Sequence, residues 1–149
     1  MLKHLLTISD FTKVEIDAIF EKTHVLKQRQ KRGIPHHPLI GKTIGLIFDK
    51  ASTRTRISFE VAMHQLGGHA IFISHRDSQI GRGEPIKDSA RVLSRYLDGI
   101  VIRTFGHGIA EEFAKYSTVP IINGLTNLHH PCQVLADVFT IIEKKGSCK

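Results

Sequence analysis

Apolar residues recur along the chain in two alternating patterns, short continuous runs and helical spacings. Four short runs predict buried strands at residues 43–48, 69–74, 99–103 and 119–122, the last of them followed by Asn123. After each run, apolar residues three or four positions apart predict an amphipathic helix. The pattern therefore predicts a regular alternation of strands and helices.

Helices are also marked by signals at their first positions. Thr12 and Glu15 form a capping box that opens a first helix, and the polar run 27–33 closes it. Pro85 and Pro131 suit the first positions of two later helices. The apolar residues expected to face the core from the helices are Ile16, Ile19, Phe20, Leu26, Phe59, Ala62, Met63, Leu66, Ile86, Ala90, Leu93, Leu97, Val134, Leu135, Val138, Phe139 and Ile142.

This alternation is typical of parallel βαβ units with right-handed crossovers. With a further short helix near residues 108–116, it predicts an α/β fold, a doubly wound sheet of about four parallel strands with helices on both faces. The length of 149 residues suits one domain. We expect an N-terminal helix and loop at residues 1–40, followed by the βα units of residues 41–149.

Composition narrows the class of protein. Hydrophobic residues make up 41% and charged residues 23% of the chain, as in soluble globular proteins. No apolar run is long enough to cross a bilayer, and the N-terminus turns polar too early for a secretory signal. Cys132 and Cys148 show no metal-ligand spacing. We therefore expect a cytoplasmic protein with no disulfide scaffold, metal or cofactor.

The net charge of +7 is unusual and indicates an anionic partner, which is nucleic acid, a membrane surface or a small substrate. Few aromatic residues accompany the basic run 27–32, which suits a solvated helix end better than a nucleic-acid surface. The triplet at 41–43 lacks the earlier glycine of a P-loop, and no GxGxxG follows a strand. We expect neither nucleic acid nor a membrane as partner.

Polar residues follow every predicted strand. Because parallel strands end at one edge of the sheet, these loops should meet there. Their polar residues, mostly neutral or positive, are Ser52, Thr53, Arg54, Thr55, Arg56, Ser78, Gln79, Arg82, Glu84, Arg103, His107, Asn123, Thr126, Asn127, His129, His130 and Gln133. This composition predicts a preformed site for a small anion.

The loop at residues 52–56 carries the strongest signal. A helix N-terminus attracts phosphate, hydroxyl groups add donors, and one arginine can bind two phosphate oxygens. The alternative is that Ser52 or Thr53 only caps the helix and that the arginines are solvated.

Three motifs resemble those of the carbamoyltransferase family: STRTRISFE at 52–60, DSQIGRGEPIKDSARVLSRYLDG at 77–99 and HPCQVLAD at 130–137. They stand in the family's order and spacing, so the resemblance covers nearly the whole chain. Residues 78–79 and the stretch GEPIKDSARVLSRY at 83–96 are similar to the ornithine-specific type. In the aspartate-specific type a lysine stands near the position of Arg82 and serves a neighbouring subunit.

The resemblance implies a site for carbamoyl phosphate. Its implied binding residues are Ser52, Thr53, Arg54, Thr55, Gln79, Arg103, His130, Pro131, Cys132 and Gln133. The first four hold the phosphate. Arg103, His130 and Thr55 are the implied catalytic residues and face the carbamoyl carbonyl oxygen, while Gln133 faces the amide. Gln79 reaches the ligand across the subunit interface of a homotrimer.

The implied reaction is the attack of the δ-amine of L-ornithine on the carbamoyl carbon, which gives citrulline and phosphate in arginine metabolism. Donors facing the carbonyl oxygen would stabilise the tetrahedral species, and losing one typically costs on the order of a hundredfold in turnover. Arg54 would neutralise the leaving phosphate. His130 could act as an acid or as a neutral donor. We expect Pro131 to shape the turn and Cys132 to contribute mainly backbone.

The family's second domain binds ornithine through an aspartate, a Cys-containing HCLP-type motif and a late arginine, which have no counterpart in residues 1–149. We therefore expect the carbamoyl-phosphate-binding half alone, without the C-terminal ornithine-binding domain and inactive by itself. Two alternatives stay open. One is a carbamoyltransferase for aspartate or another amine, and the other is a basic nucleic-acid-binding or regulatory domain without catalysis.

Overall fold

The computed structural model describes residues 3–76 and 78–147, so Asp77 and Cys148 lie outside the described residues. Within these ranges one parallel sheet has the strand order β2-β1-β3-β4. The strands are β1 (Thr43–Phe48), β2 (His69–Ser74), β3 (Gly99–Arg103) and β4 (Ile121–Leu125). The helices are α1 (Lys13–Lys31), α2 (Thr53–Gln65), α3 (Ile86–Leu93), α4 (His107–Tyr116) and α5 (Pro131–Lys145).

The first three strands are confirmed at their predicted bounds, and the capping box at Thr12 opens α1 as expected. The prediction for the fourth strand was wrong by two residues, because β4 begins at Ile121 and runs to Leu125. Pro120 has no N–H for a sheet hydrogen bond, which delays the start. Similarly, Pro85 is the N-cap of α3 rather than its first residue.

Alternating side chains of the strands pack on opposite faces of the sheet. On one face Ile100, Ile102 and Ile121 surround Phe113 of α4, and residues of α3 pack against the same cluster. On the other face Leu46, Phe48 and Val101 form a second buried cluster with Phe59 of α2 beside it. The rings of Phe20 in α1 and Phe139 in α5 lie 5.8 Å apart. Helices cover both faces, which confirms the predicted α/β architecture.

Part of the predicted helix-to-core pattern was wrong. Ala62 is exposed, and Val134 and Ile142 are 45% and 37% exposed. A helix lying on a sheet buries only the stripe that touches the strands, and this stripe is narrower than the apolar face that the 3.6-residue period marks. Among the described residues, no helix combines the length and the apolar character needed to span a membrane.

Candidate functional site

A cleft of about 740 Å³ opens at the carboxyl edge of the sheet, between the first turns of α2 and α5. Its lining residues are Ala51, Ser52, Thr53, Arg54, Thr55, Ser58, Phe59, Arg103, Leu125, His130, Cys132, Gln133 and Ala136. None of them carries a carboxylate, whereas two carry guanidinium groups. The cleft is therefore electropositive and rich in hydrogen-bond donors, which suits an anion.

The first turn of α2 forms one wall of the cleft. Ser52 is the N-cap, and its Oγ accepts a hydrogen bond from the Thr55 N–H at 3.3 Å. The remaining N–H groups of this turn have no partner inside the helix, and the helix dipole adds positive potential. The same helix start is thus both a capped terminus and a potential anion site, so the two interpretations of this loop are compatible.

The two arginines of this turn differ in their contacts. Arg56 pairs with Glu60 at 2.8 Å, and its guanidinium lies 3.8 Å from the centre of the Phe72 ring. Arg54 lines the cleft, and no carboxylate among the described residues lies within 4 Å of it. Arg54 is consequently available for a ligand, while Arg56 is held against β2, away from the cleft.

Arg103, the last residue of β3, lies opposite this turn. Its Nη1 donates to Thr55 Oγ1 at 3.5 Å, and its Nε is buried without a hydrogen-bond partner among the described groups. Burial lowers the pKa of Arg103, but a guanidinium stays protonated in proteins. A half-buried cation with unused donors therefore faces the cleft.

His130 is the N-cap of α5, and its Nδ1 accepts a hydrogen bond from the Gln133 N–H at 3.4 Å. The proton of the neutral ring then belongs on Nε2, which makes Nε2 a donor. Burial, and next the charge of Arg103, lower the pKa of His130, while Asp137 opposes them. His130 is therefore neutral near pH 7, which favours a neutral donor over an acid.

The first turn of α5 also orients Gln133 and Cys132. Gln133 Nε2 donates to Asp137 Oδ1 at 2.8 Å, which leaves Oε1 as an acceptor. The Cys132 thiol donates to the Asn123 carbonyl at 3.5 Å, and burial raises its pKa to about 11. Cys132 is thus a protonated thiol at neutral pH and a poor nucleophile. Pro131 is fully buried beneath this turn.

Residues 3–143 match the family described as "Aspartate/ornithine carbamoyltransferase, carbamoyl-P binding domain". The chain belongs to this family. An ornithine carbamoyltransferase of Geobacter metallireducens is 60% identical to it over 146 residues, which are 98% of this chain and 48% of the relative. The chain therefore spans about half the length of the curated relatives that it matches.

Solved structures of the carbamoyltransferase family share the fold. The ornithine carbamoyltransferase of Burkholderia thailandensis superposes with a TM-score of 0.94 at 52% identity, covering 97% of this chain and 50% of that one. The catalytic subunit of M. jannaschii aspartate transcarbamoylase superposes with a TM-score of 0.89 at 38% identity, covering 98% of this chain and 48% of that one. Ornithine and aspartate enzymes thus share this half of the fold.

The carbamoyltransferase cleft brings together all the predicted site residues except Gln79 and Pro131. Gln79 is exposed in the loop before the short 3-10 helix Ile80–Arg82 and does not line the cleft of its own chain. Sequence reasoning missed further lining residues, among them Leu125 and Phe59. Leu125 was missed because the predicted fourth strand ended too early, and Phe59 because its apolar spacing marked it only as core.

We expect His130 to titrate below the ordinary histidine pKa of about 6.5. Because the unfolded chain binds this proton more tightly, stability should fall as the pH is lowered below about 6.5.

Replacing Arg103 with methionine removes a nearby positive charge, so the pKa of His130 should rise. An NMR titration of the imidazole measures both values, and Arg56→Ala serves as a control that should leave the pKa unchanged. A pKa of His130 at or above the ordinary value would contradict this prediction.

Proposed function

We propose that this chain binds carbamoyl phosphate in the cleft between α2 and α5. It would be the carbamoyl-phosphate-binding half, over residues 1–149, of an enzyme that transfers the carbamoyl group to L-ornithine and releases citrulline and phosphate. The observation that carries the proposal is the convergence of the α2 N-terminus, Arg103 and His130 on one cleft whose lining has no carboxylate.

The phosphate would lie at the first turn of α2. Unpaired backbone N–H groups, the helix dipole and the hydroxyls of Ser52, Thr53 and Thr55 all favour a dianion there. Arg54 has no ion-pair partner among the described residues, so binding a phosphate does not require breaking a salt bridge. Its guanidinium would also neutralise the phosphate as it leaves.

The carbamoyl group would point from this turn toward Arg103 and His130. Arg103, Thr55 and the Nε2–H of His130 would donate to the carbonyl oxygen, where negative charge develops when an amine attacks. Gln133 Oε1 would accept from the carbamoyl amide, because Asp137 already engages Nε2. These donors are held before the reaction begins, so little reorganisation is needed. Pro131 and Cys132 would support this turn through backbone and packing.

Ornithine is the proposed acceptor because the Geobacter relative, at 60% identity, is an ornithine carbamoyltransferase, whereas the aspartate enzyme shares 38%. The acceptor residues would lie in the half of the relatives that this chain does not span. Residues 1–149 alone should therefore bind carbamoyl phosphate without forming citrulline. A citrulline assay with ornithine and carbamoyl phosphate checks this, and turnover in the usual enzyme range would contradict it.

The protein would form a homotrimer in the cytoplasm. In this trimer Gln79 would reach the cleft of a neighbouring copy. Supporting this, Gln79 is exposed and lies outside its own cleft. On the outer face of α2, Ile57 and Val61 are 52% and 44% exposed, which leaves apolar surface for another copy. Light scattering during size-exclusion chromatography measures the mass, and a chain monomeric at all concentrations would count against the trimer.

The ligand proposal is tested by calorimetry with carbamoyl phosphate and with inorganic phosphate. Arg54→Ala should weaken the binding of either anion by roughly tenfold to thirtyfold, since charge-assisted hydrogen bonds are lost at a solvent-exposed position. Arg56→Ala is the matched control, because it removes the same charge two residues away, outside the cleft. Equal losses in both variants, or salt-sensitive oligonucleotide binding without carbamoyl phosphate binding, would refute the proposal.

A further inference from the structure

The turn between β4 and α5, residues 126–129, is held by a buried hydroxyl. Thr126 is 2% exposed. Its Oγ1 lies 3.1 Å from His107 Nδ1, and it accepts a hydrogen bond from the His129 N–H at 3.2 Å. The hydroxyl has one proton, which goes to His107 Nδ1, the nearer acceptor, rather than to the His129 carbonyl at 3.4 Å. The lone pairs of Oγ1 then accept from the His129 N–H. Thr126 therefore connects α4 to the residue directly before His130.

The partner of Thr126 is itself fixed in place. The side chain of His107 is 10% exposed, and its ring packs edge-on against the His129 ring at 4.8 Å. Its Nε2 lies 3.9 Å from Glu111 Oε1, which favours the proton on Nε2 and leaves Nδ1 as an acceptor. The hydroxyl of Thr126 is thus tied to a helix on the other side of the turn.

The backbone of the turn is anchored at its far end as well. The His129 carbonyl accepts from the Thr126 N–H at 2.9 Å and from Asn123 Nδ2 at 3.3 Å. Asn123 is fully buried, and the same Nδ2 donates to the Leu6 carbonyl at 2.9 Å. Both the N–H and the carbonyl of His129 are therefore held, so the next residue, His130, enters α5 with a defined direction.

We propose that Thr126 is a positioning residue for His130, because its hydroxyl joins His107 to the His129 backbone and so sets the orientation in which His130 lines the cleft. The inference rests on the proposed function and extends it to a residue that lines no part of the cleft. Thr126 touches no reacting atom, and it acts only through the turn.

The physical consequence of losing the hydroxyl follows from burial. With valine at position 126, the Nδ1 of His107 would lose its partner where the His107 side chain is only 10% exposed, and the part-buried N–H of His129 would lose its partner as well. The turn would relax to reach other partners, and the His130 ring would move from its half-buried place beside Arg103 toward water. Serine keeps the hydroxyl and removes only a methyl group, so it should preserve the network.

The test compares Thr126→Val with Thr126→Ser in two measurements. An NMR titration follows the imidazole of His130, assigned as the resonance missing from His130→Asn. Calorimetry measures binding of carbamoyl phosphate. We expect Thr126→Val to raise the pKa of His130 toward its ordinary value and to weaken binding about fivefold, since a buried hydrogen bond is lost. Thr126→Ser should match the original chain in both.

If Thr126→Val does not fold, His107→Leu removes the other end of the same hydrogen bond and should raise the pKa of His130 as well. An unchanged His130 titration in the valine variant, or equal effects of serine and valine, would overturn the inference and leave Thr126 as packing only. Failure of the original chain to bind carbamoyl phosphate would instead refute the proposed function, and the His130 titration would still decide the role of Thr126.

Discussion

Replacing Arg103 with methionine should weaken the binding of carbamoyl phosphate by about a hundredfold or more, the largest loss that we expect from any single side chain of the cleft. Arg103 is half-buried, its Nε has no partner among the described groups, and its Nη1 meets Thr55 at 3.5 Å. Methionine keeps much of the apolar stem but supplies no donor. Water cannot replace the charge as easily there as at the exposed Arg54, so the loss should be larger.

The matched control for this experiment is Arg91→Met. Arg91 lies on α3, where it contacts Asp88 at 3.7 Å and stacks 5.2 Å from the Tyr116 ring, away from the cleft. The Arg91→Met substitution removes the same charge from the chain, so any effect of net charge on anion binding appears equally in both variants. Calorimetry at two salt concentrations measures the affinities. Similar losses in the two variants would show that general charge, not the cleft, binds the anion.

Replacing Phe113 with alanine should lower the free energy of unfolding by about 3–5 kcal/mol. Phe113 is 1% exposed and lies among Ile100, Ile102 and Ile121 in the cluster under α3 and α4. The cost combines lost apolar burial with a cavity that close-packed neighbours cannot fill. A domain of this size is stabilised by only about 5–15 kcal/mol, so the variant should be partly unfolded on mild heating.

Urea denaturation followed by circular dichroism measures this loss, and Phe105→Ala provides the control. Phe105 is 52% exposed, so its removal should cost less than about 1 kcal/mol. Phe113 packs on the face of the sheet opposite α2, so molecules of Phe113→Ala that remain folded should still bind carbamoyl phosphate. Equal destabilisation by the two substitutions would contradict the assignment of this core.

The strand predictions succeeded where the apolar run was short and uninterrupted. β1 and β3 are such runs because helices cover both of their faces, and β2 was also found at its bounds although it lies at the edge of the sheet with Ile71 43% exposed. The run at 119–122 misled the prediction because β4 continues through Asn123 and Gly124. The Nδ2 of Asn123 donates to the carbonyls of Leu6 and His129, which offsets the cost of burying that amide group in the strand. These partners lie outside the strand, so the apolar pattern of residues 119–122 could not indicate them.

The residues of the site could be selected from the sequence because their positions obey a simple rule. Loops that follow parallel strands meet at one edge, so Arg103, His130 and residues 52–55 were expected together. The partners and protonation of these groups were not predictable. Thr55 and Arg103 are 48 residues apart, and the capping of α5 by His130 Nδ1 depends on the backbone direction of one turn.

The succession of strands and helices, the family, and the donors expected to form an anion site were all predictable from the amino-acid sequence. These follow from the order of residue types within short segments. The folded backbone was needed to show that Asp137 accepts from Gln133 Nε2 and that the Thr126 hydroxyl accepts from the N–H of His129, the residue before His130. The physical reason is that hydrogen bonds and pKa values depend on distances of a few ångströms between groups from different elements. Such distances exist only after the sheet has set the order β2-β1-β3-β4.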